Sequence, residues 1–173
     1  ATIWFDENDP ISTPTVTNTI DDGKPASTVL PLAAATHCKN FTVIWQGADS
    51  PGAGIAFYDI YVSTDGGMFF LWLGGTADTS ASFTGANGHT YAFFCLAQDN
   101  VGNREELPLT ADTSTLVLTG DLNNDDATDV VDIVLCLRMA LGLSPESNLA
   151  DMNQDTQVNI LDVIHILRAP LDL

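Results

Sequence analysis

The chain has 173 residues, 45% of them hydrophobic, with 23 acidic against 5 basic side chains and a formal net charge of −18. So few cations cannot neutralise a phosphate backbone, which excludes nucleic acid and makes an anionic membrane surface a poor partner. No apolar run approaches the roughly 18 residues that a bilayer span needs, and the length leaves room for two small domains.

Residues 1–23, ATIWFDENDPISTPTVTNTIDDG, carry five acids and no base. The segment opens on Ala1 without an initiating Met, as a processed secreted chain does. ATIWF and PTVTNTI are β-prone but too short to fold alone. Three alternatives stand: a loose tail, a first strand of the following domain, or a strand given to a neighbouring copy of the chain. Trp4 and Phe5 are expected to bury against something. Asp6, Glu7, Asp9, Asp21 and Asp22 are further oxygen donors for a cation.

Residues 24–112 change pattern. FTVIW alternates, placing Phe41, Val43 and Trp45 on one face, and GHTYAFFCLAQD does the same with Tyr91, Phe93, Cys95 and Ala97. FYDIYVS, MFFLWLG and SASFTG lie between them, separated by Gly/Pro loops and a TDGG turn. Short strands punctuated by turn chemistry predict an antiparallel β-sandwich, with Tyr91 placed for a tyrosine corner. The segments FTVIWQGAD, GIAFYDIYVSTDGG, ASFTG, GHTYAFF and AQDNVGN together resemble bacterial immunoglobulin-like or fibronectin-III-like domains of secreted surface proteins. That resemblance implies a spacer, adhesive module or assembly unit.

Within this region Asn40-Phe41-Thr42 is a glycosylation sequon with Asn40 as acceptor. Cys38 and Cys95 are candidates for a disulfide across the sandwich, although the strand parity of Cys38 against Phe41 points it outward. The odd count of three cysteines leaves at least one without a partner in the chain. Cys136 is read as a small core residue. Asp49, Asp99, Asn100, Asn103 and Glu105 either gather around a cation or shape a turn through Asn-Val-Gly-Asn. Trp45 and Trp72 are candidates for a sugar-binding face, with Trp45 better placed for the core.

Residues 113–119 are expected as a linker. Beyond them DLNNDDATDVVD packs five aspartates and two asparagines into twelve residues ahead of an apolar helix. Like charges at that density repel unless a cation sits among them. Asp121, Asn123, Asp125, Asp129 and Asp132 fall at positions 1, 3, 5, 9 and 12 of a calcium loop, with the Ala127 carbonyl at position 7. The pattern returns 30 residues later as Asp151, Asn153, Asp155, Gln157, Asn159 and Asp162. Two departures are visible: position 12 is Asp rather than Glu, and position 6 is Asp126 or Thr156 rather than Gly.

The repeated loop and helix resemble a dockerin over residues 120–173. The resemblance implies two calcium ions, an antiparallel helix pair and a cohesin-type protein as partner. Val130, Val131, Ile160 and Leu161 stand at the positions where dockerins meet cohesins. They either face a partner or pack into the domain's own core. The expected architecture is therefore two-domain: an all-β immunoglobulin-like sandwich, then a small α-helical dockerin-like domain of EF-hand-type loop–helix repeats.

No catalytic motif accompanies these segments. His37, His89 and His165 sit in no HExxH, CxxC is absent, and no G-x-S-x-G elbow is present. The expected function is a non-enzymatic, extracellular, calcium-binding subunit that assembles with copies of itself into a fibre or surface layer. The alternative is a cohesin-binding module of an extracellular polysaccharide-degrading complex.

Overall fold

A computed structural model of the chain describes residues 2–4, 6, 9–14, 18, 20–125 and 127–168. Phe5, Glu7, Asp126 and most of PTVTNTI lie outside the described residues. Among the described residues there are ten strands: β1 (Thr2–Ile3), β2 (Ile11–Ser12), β3 (Ala26–Val29), β4 (Ala35–Thr36), β5 (Asn40–Ala48), β6 (Ile55–Thr64), β7 (Phe70–Thr76), β8 (Ser80–Thr84), β9 (Thr90–Asp99) and β10 (Thr113–Val117). Two helices follow, α1 (Val130–Ala140) and α2 (Ile160–Arg168).

Two sheets face each other, one of five strands in the order β4-β10-β9-β6-β7 and one of three in the order β3-β5-β8. The alternation in the sequence sets which side chains meet between them, because successive residues of a strand point to opposite faces. Val43 and Trp45 from β5 meet Phe93, Cys95 and Ala97 from β9, with Ile60 from β6 and Val117 from β10 in the same cluster. Phe83 contacts Phe93 edge-on at a ring separation of 5.1 Å and Trp72 at 5.1 Å, geometry that aromatic quadrupoles favour. Trp45 is buried and Trp72 packs against it, so both candidates for a sugar-binding face belong to the sandwich core.

Turn chemistry closes the strands as expected. Asp65 and Gly66 both have positive φ in the turn after β6, and the Gly67 N–H donates to the Thr64 carbonyl. The Tyr91 hydroxyl accepts from the Ala86 N–H at 2.9 Å, five residues upstream, which is the bond a tyrosine corner makes.

The expected two-domain division does not hold. Among the described residues the protein is mostly β-sandwich with only two short α-helices, of 11 and 9 residues, and the apolar cluster they form takes in Leu118 and Leu116 from the end of the sandwich. Cys136, Val163, Ile166, Ala150, Met152 and Val158 pack around Leu118, with Leu116 of β10 against the same cluster. The segment expected as a linker is instead largely strand β10, paired with β9 on one side and with β4 on the other. The physical reason is parity. Thr115 and Val117 lie on the side facing the sandwich core, while Leu116 and Leu118 fall on the opposite side and enter the helical cluster. The chain therefore folds as one unit rather than as a sandwich followed by a separate dockerin-like domain.

The disulfide expectation is also corrected. Cys38 and Cys95 are both free; Cys38 is exposed ahead of β5, whereas Cys95 is buried with its thiol hydrogen-bonded to Ser27 Oγ at 3.2 Å. Burial pushes the Cys95 thiol up to about 12 and the Cys136 thiol up to about 11, so neither carries thiolate character near neutral pH. Among the described residues, no helix is long and apolar enough to cross a membrane.

Leu118 is buried in the helical cluster beside Val117 of the sandwich cluster, and Leu118→Ala should destabilise the protein by about 2–5 kcal/mol, the usual cost of a buried Leu truncation. Urea unfolding followed by tryptophan fluorescence, which reports the sandwich, and by the helical circular dichroism signal should give coincident transitions in both proteins. Separated transitions in the native chain would show two independent units.

Candidate metal centre

Each acidic loop is folded by its own oxygens. In the first, Asp125 N–H donates to Asp121 Oδ1 at 3.2 Å and to Asn123 Oδ1 at 3.0 Å, and Ala127 N–H donates to Asp125 Oδ1 at 2.9 Å. In the second, Asp155 N–H donates to Asp151 Oδ1 at 3.1 Å and to Asn153 Oδ1 at 2.9 Å, and Gln157 N–H donates to Asp155 Oδ1 at 2.9 Å. These three bonds match one for one. The match follows from equal spacing of the same donor types.

Positions 9 and 12 serve the helix that follows. Asp129 caps α1, accepting from Val131 N–H, and the Asp132 side chain reaches back to Asp129 N–H at 2.9 Å, forming a capping box. Asn159 accepts from Leu161 N–H, and Asp162 accepts from Asn159 N–H, both at 2.8 Å, so the second repeat is built alike. Asp132 and Asp162 are fully buried. Asp132 Oδ1 takes N–H groups from Leu122 and Asn123, and Asp162 Oδ1 takes those of Met152 and Asn153. A carboxylate has about four lone-pair positions, so three such bonds leave each of them one further acceptor position.

All the side chains at positions 1, 3, 5, 9 and 12 offer oxygen, and position 7 offers the Ala127 or Gln157 carbonyl, a donor set that suits a hard divalent cation. Position 4 has positive φ in both loops, 57° at Asn124 and 60° at Gln154. Thr156 at position 6 is also left-handed, with φ 72°, although a β-branched residue resists that conformation. The turn usually given to Gly is thus made without it, at a local cost on the order of 1–3 kcal/mol.

Among the described residues, the three carboxylates whose ligand atoms lie within 4.8 Å of one another are not in these loops. They are Asp21, Asp49 and Asp99, at one end of the sandwich. Asp99 Oδ1 accepts from the N–H groups of Val101, Gly102 and Asn103, the turn chemistry expected of this stretch. Burial pushes the Asp99 carboxyl up, but the bonds from Asn103, Val101 and Gly102 outweigh it and hold the group below the usual carboxylate range. Asp49 accepts from Gly54 N–H, and Asp21 accepts from Ala53 N–H. Glu105 is elsewhere, bonded to Ser27 and to the Ala97 N–H. Sequence reasoning had no means of joining Asp21 to Asp99, since the contact is made only when the segment before β3 folds back on the sandwich end.

The remaining candidates are placed as follows. Asn40 is exposed at the start of β5, and its side-chain oxygen accepts from Thr84 Oγ1. Val130, Val131, Ile160 and Leu161 are all exposed, between 47% and 67%, which removes the alternative that they pack into a core. His37 Nδ1 lies 2.9 Å from the Leu118 carbonyl, and His89 pairs with Asp65.

No protein-family model matches the sequence, and comparison with curated proteins finds no relative. Among solved structures, the chain is similar to the fibronectin(III)-like modules of CbhA from Clostridium thermocellum, with 14% identity and a TM-score of 0.38. The alignment covers 67% of this chain and 58% of that one.

The loop register makes a direct prediction. Asp132→Ala and Asp162→Ala remove position 12 and should each abolish or severely weaken cation binding at their own loop. Asn124→Gly and Gln154→Gly, at the left-handed position 4, should leave it nearly unchanged. Isothermal titration with calcium chloride measures all four; equal affinity across them would show the register to be wrong.

Proposed function

We propose that the protein is a non-enzymatic extracellular structural subunit that binds calcium at two loops and assembles with copies of itself into a fibre or surface layer. The observation that carries the calcium part is the duplication. Two loops 30 residues apart fold through the same hydrogen bonds and present the same oxygen donors. The residues that would hold the ions are Asp121, Asn123, Asp125, Asp129 and Asp132 with the Ala127 carbonyl, and Asp151, Asn153, Asp155, Asn159 and Asp162 with the Gln157 carbonyl. When bound, each ion supplies positive charge among crowded carboxylates and links a loop to the helix it caps. Millimolar calcium is an extracellular condition, which fits the location proposed.

Self-assembly is supported by the N-terminal segment. Thr2–Ile3 pairs only with Ile11–Ser12 in the described ladder, and Trp4 is 72% exposed. Burial of Trp4 on a second copy would contribute roughly 1.5–3 kcal/mol, less than the ordering of a whole segment costs, so ladder hydrogen bonds and other apolar contacts must add to it. The β7 edge of the five-stranded sheet and exposed Phe70 and Leu71 on it are a suitable place for such a strand. Head-to-tail strand addition extends into filaments when its rotation does not close. A second reading, binding of a cohesin-type protein, is favoured by the exposure of Val130, Val131, Ile160 and Leu161.

Chelation tests the first part: calcium removal should lower the melting temperature and the helical circular dichroism signal, because ion binding to the folded state alone stabilises it. An unchanged melt would refute calcium binding as a structural role. Deletion of residues 1–22 tests the second. The truncated protein should keep its fold by circular dichroism and lose ordered fibres in negative-stain microscopy; identical assemblies after truncation would favour the cohesin-type reading.

A further inference from the structure

We propose that Asn87, a residue of the sandwich, positions the first acidic loop for its ion and has no such effect on the second. The inference rests on the calcium reading above and names a residue outside both loops that governs one of them.

Asn87 lies in the turn between β8 and β9. Its Nδ2 donates to the Asp121 carbonyl at 2.6 Å, and its Oδ1 accepts from the Thr119 N–H at 3.0 Å. One side chain thus grips the backbone on both sides of Gly120, immediately where the loop begins. Thr119 passes the restraint on: its carbonyl accepts from Thr128 Oγ1 at 2.9 Å, and Thr128 stands at position 8, beside the helix cap. Entry and exit of the first loop are therefore fixed to the sandwich through one amide. A cleft of about 400 Å³ opens beside this junction, lined in part by His37, Lys39, Asn87, Asp121 and Thr128.

Among the described residues the second repeat shows no counterpart to these bonds with the sandwich; the Leu149 N–H, equivalent to that of Thr119, donates within its own segment to Ser147 Oγ at 3.3 Å. Leu149 and Val158 occupy the places of Thr119 and Thr128, and neither side chain can hydrogen-bond. Leu149 instead packs on the same turn through apolar contact. A Cβ on Gly88 would come within 2.7 Å of Leu149 Cδ2. The turn thus holds one repeat by directed hydrogen bonds and the other by apolar contact, the Leu149 backbone being fixed by its own segment instead. Groups that orient a ligand-bearing residue change metal affinity by about 10–100-fold when removed. Asp121 is position 1 of the loop, so the loss should fall on that site.

The test is Asn87→Ala in the full chain, with calcium chloride titrated and followed by two-dimensional NMR of backbone amides. The Ala127 amide reports the first loop and the Gln157 amide the second, so each site is read in one sample. The half-saturation concentration at Ala127 should rise about tenfold or more, while that at Gln157 stays within twofold. Should Asn87→Ala fail to fold, Asn87→Ser, turn-compatible but too short to span both partners, should give the same split. Equal shifts at both loops, or none at either, overturn the proposal. A native chain whose amides do not respond to calcium overturns the calcium reading, and a native chain that responds with an insensitive variant overturns the role of Asn87 alone.

Discussion

The alternation of β10 is the constraint on which the rest depends. A strand with one apolar face ends a sandwich; a strand with two must be covered twice. Thr115 and Val117 complete the core between the sheets, and Leu116 and Leu118 leave an apolar face that water would otherwise meet. The two helices cover it. Cys136 and Ile166 are fully buried there, at matching positions of the repeats, in one cluster with Leu118. Neither helix is long enough to be stable alone, so their helicity comes from this packing and from their caps.

The caps tie the fold to the acidic loops. Asp132 and Asp162 are buried, charged residues, which is costly unless each is fully hydrogen-bonded. Three backbone N–H groups meet each of them, two from the start of the loop and one from the helix cap. The same carboxylate thus closes the loop into a ring and starts the helix. An ion would not have to build this ring. It would have to draw the outer ligands inward, because among the described residues no three carboxylates of either loop gather within 4.8 Å as those of Asp21, Asp49 and Asp99 do.

Much of this was legible in the sequence. The period of two placed Phe41, Val43 and Trp45, and Tyr91, Phe93, Cys95 and Ala97, on the faces they occupy, because burial on one face dictates register. The repeat put loop and helix in their order. What escaped was set by contacts between distant residues. TSTLVLTG reads as a linker to an eye searching for one apolar face, since its Leu and Val residues alternate onto opposite sides. Cys38 and Cys95 invited a bridge by their places flanking the sandwich, yet Cys38 lies on the exposed side before β5 and Cys95 on the core face of β9. Asp21 met Asp49 and Asp99 only through the fold of a segment whose pattern is too short to declare its direction.

The two repeats differ where their surroundings differ and agree where they do not. Positions 1, 3, 5 and 12 are the same residue types in both, and each of them is engaged by backbone groups of its own loop. Thr119 and Leu149, or Thr128 and Val158, are different chemistries at equivalent places, and the neighbours differ with them: Asn87 and a shared carbonyl for the threonines, Gly88 and the helical cluster for Leu149 and Val158. An internally symmetric pair set beside an asymmetric sandwich cannot present the same face to it twice. One repeat meets the turn with polar groups and the other with apolar ones, and the sandwich thereby distinguishes two loops that are otherwise built alike.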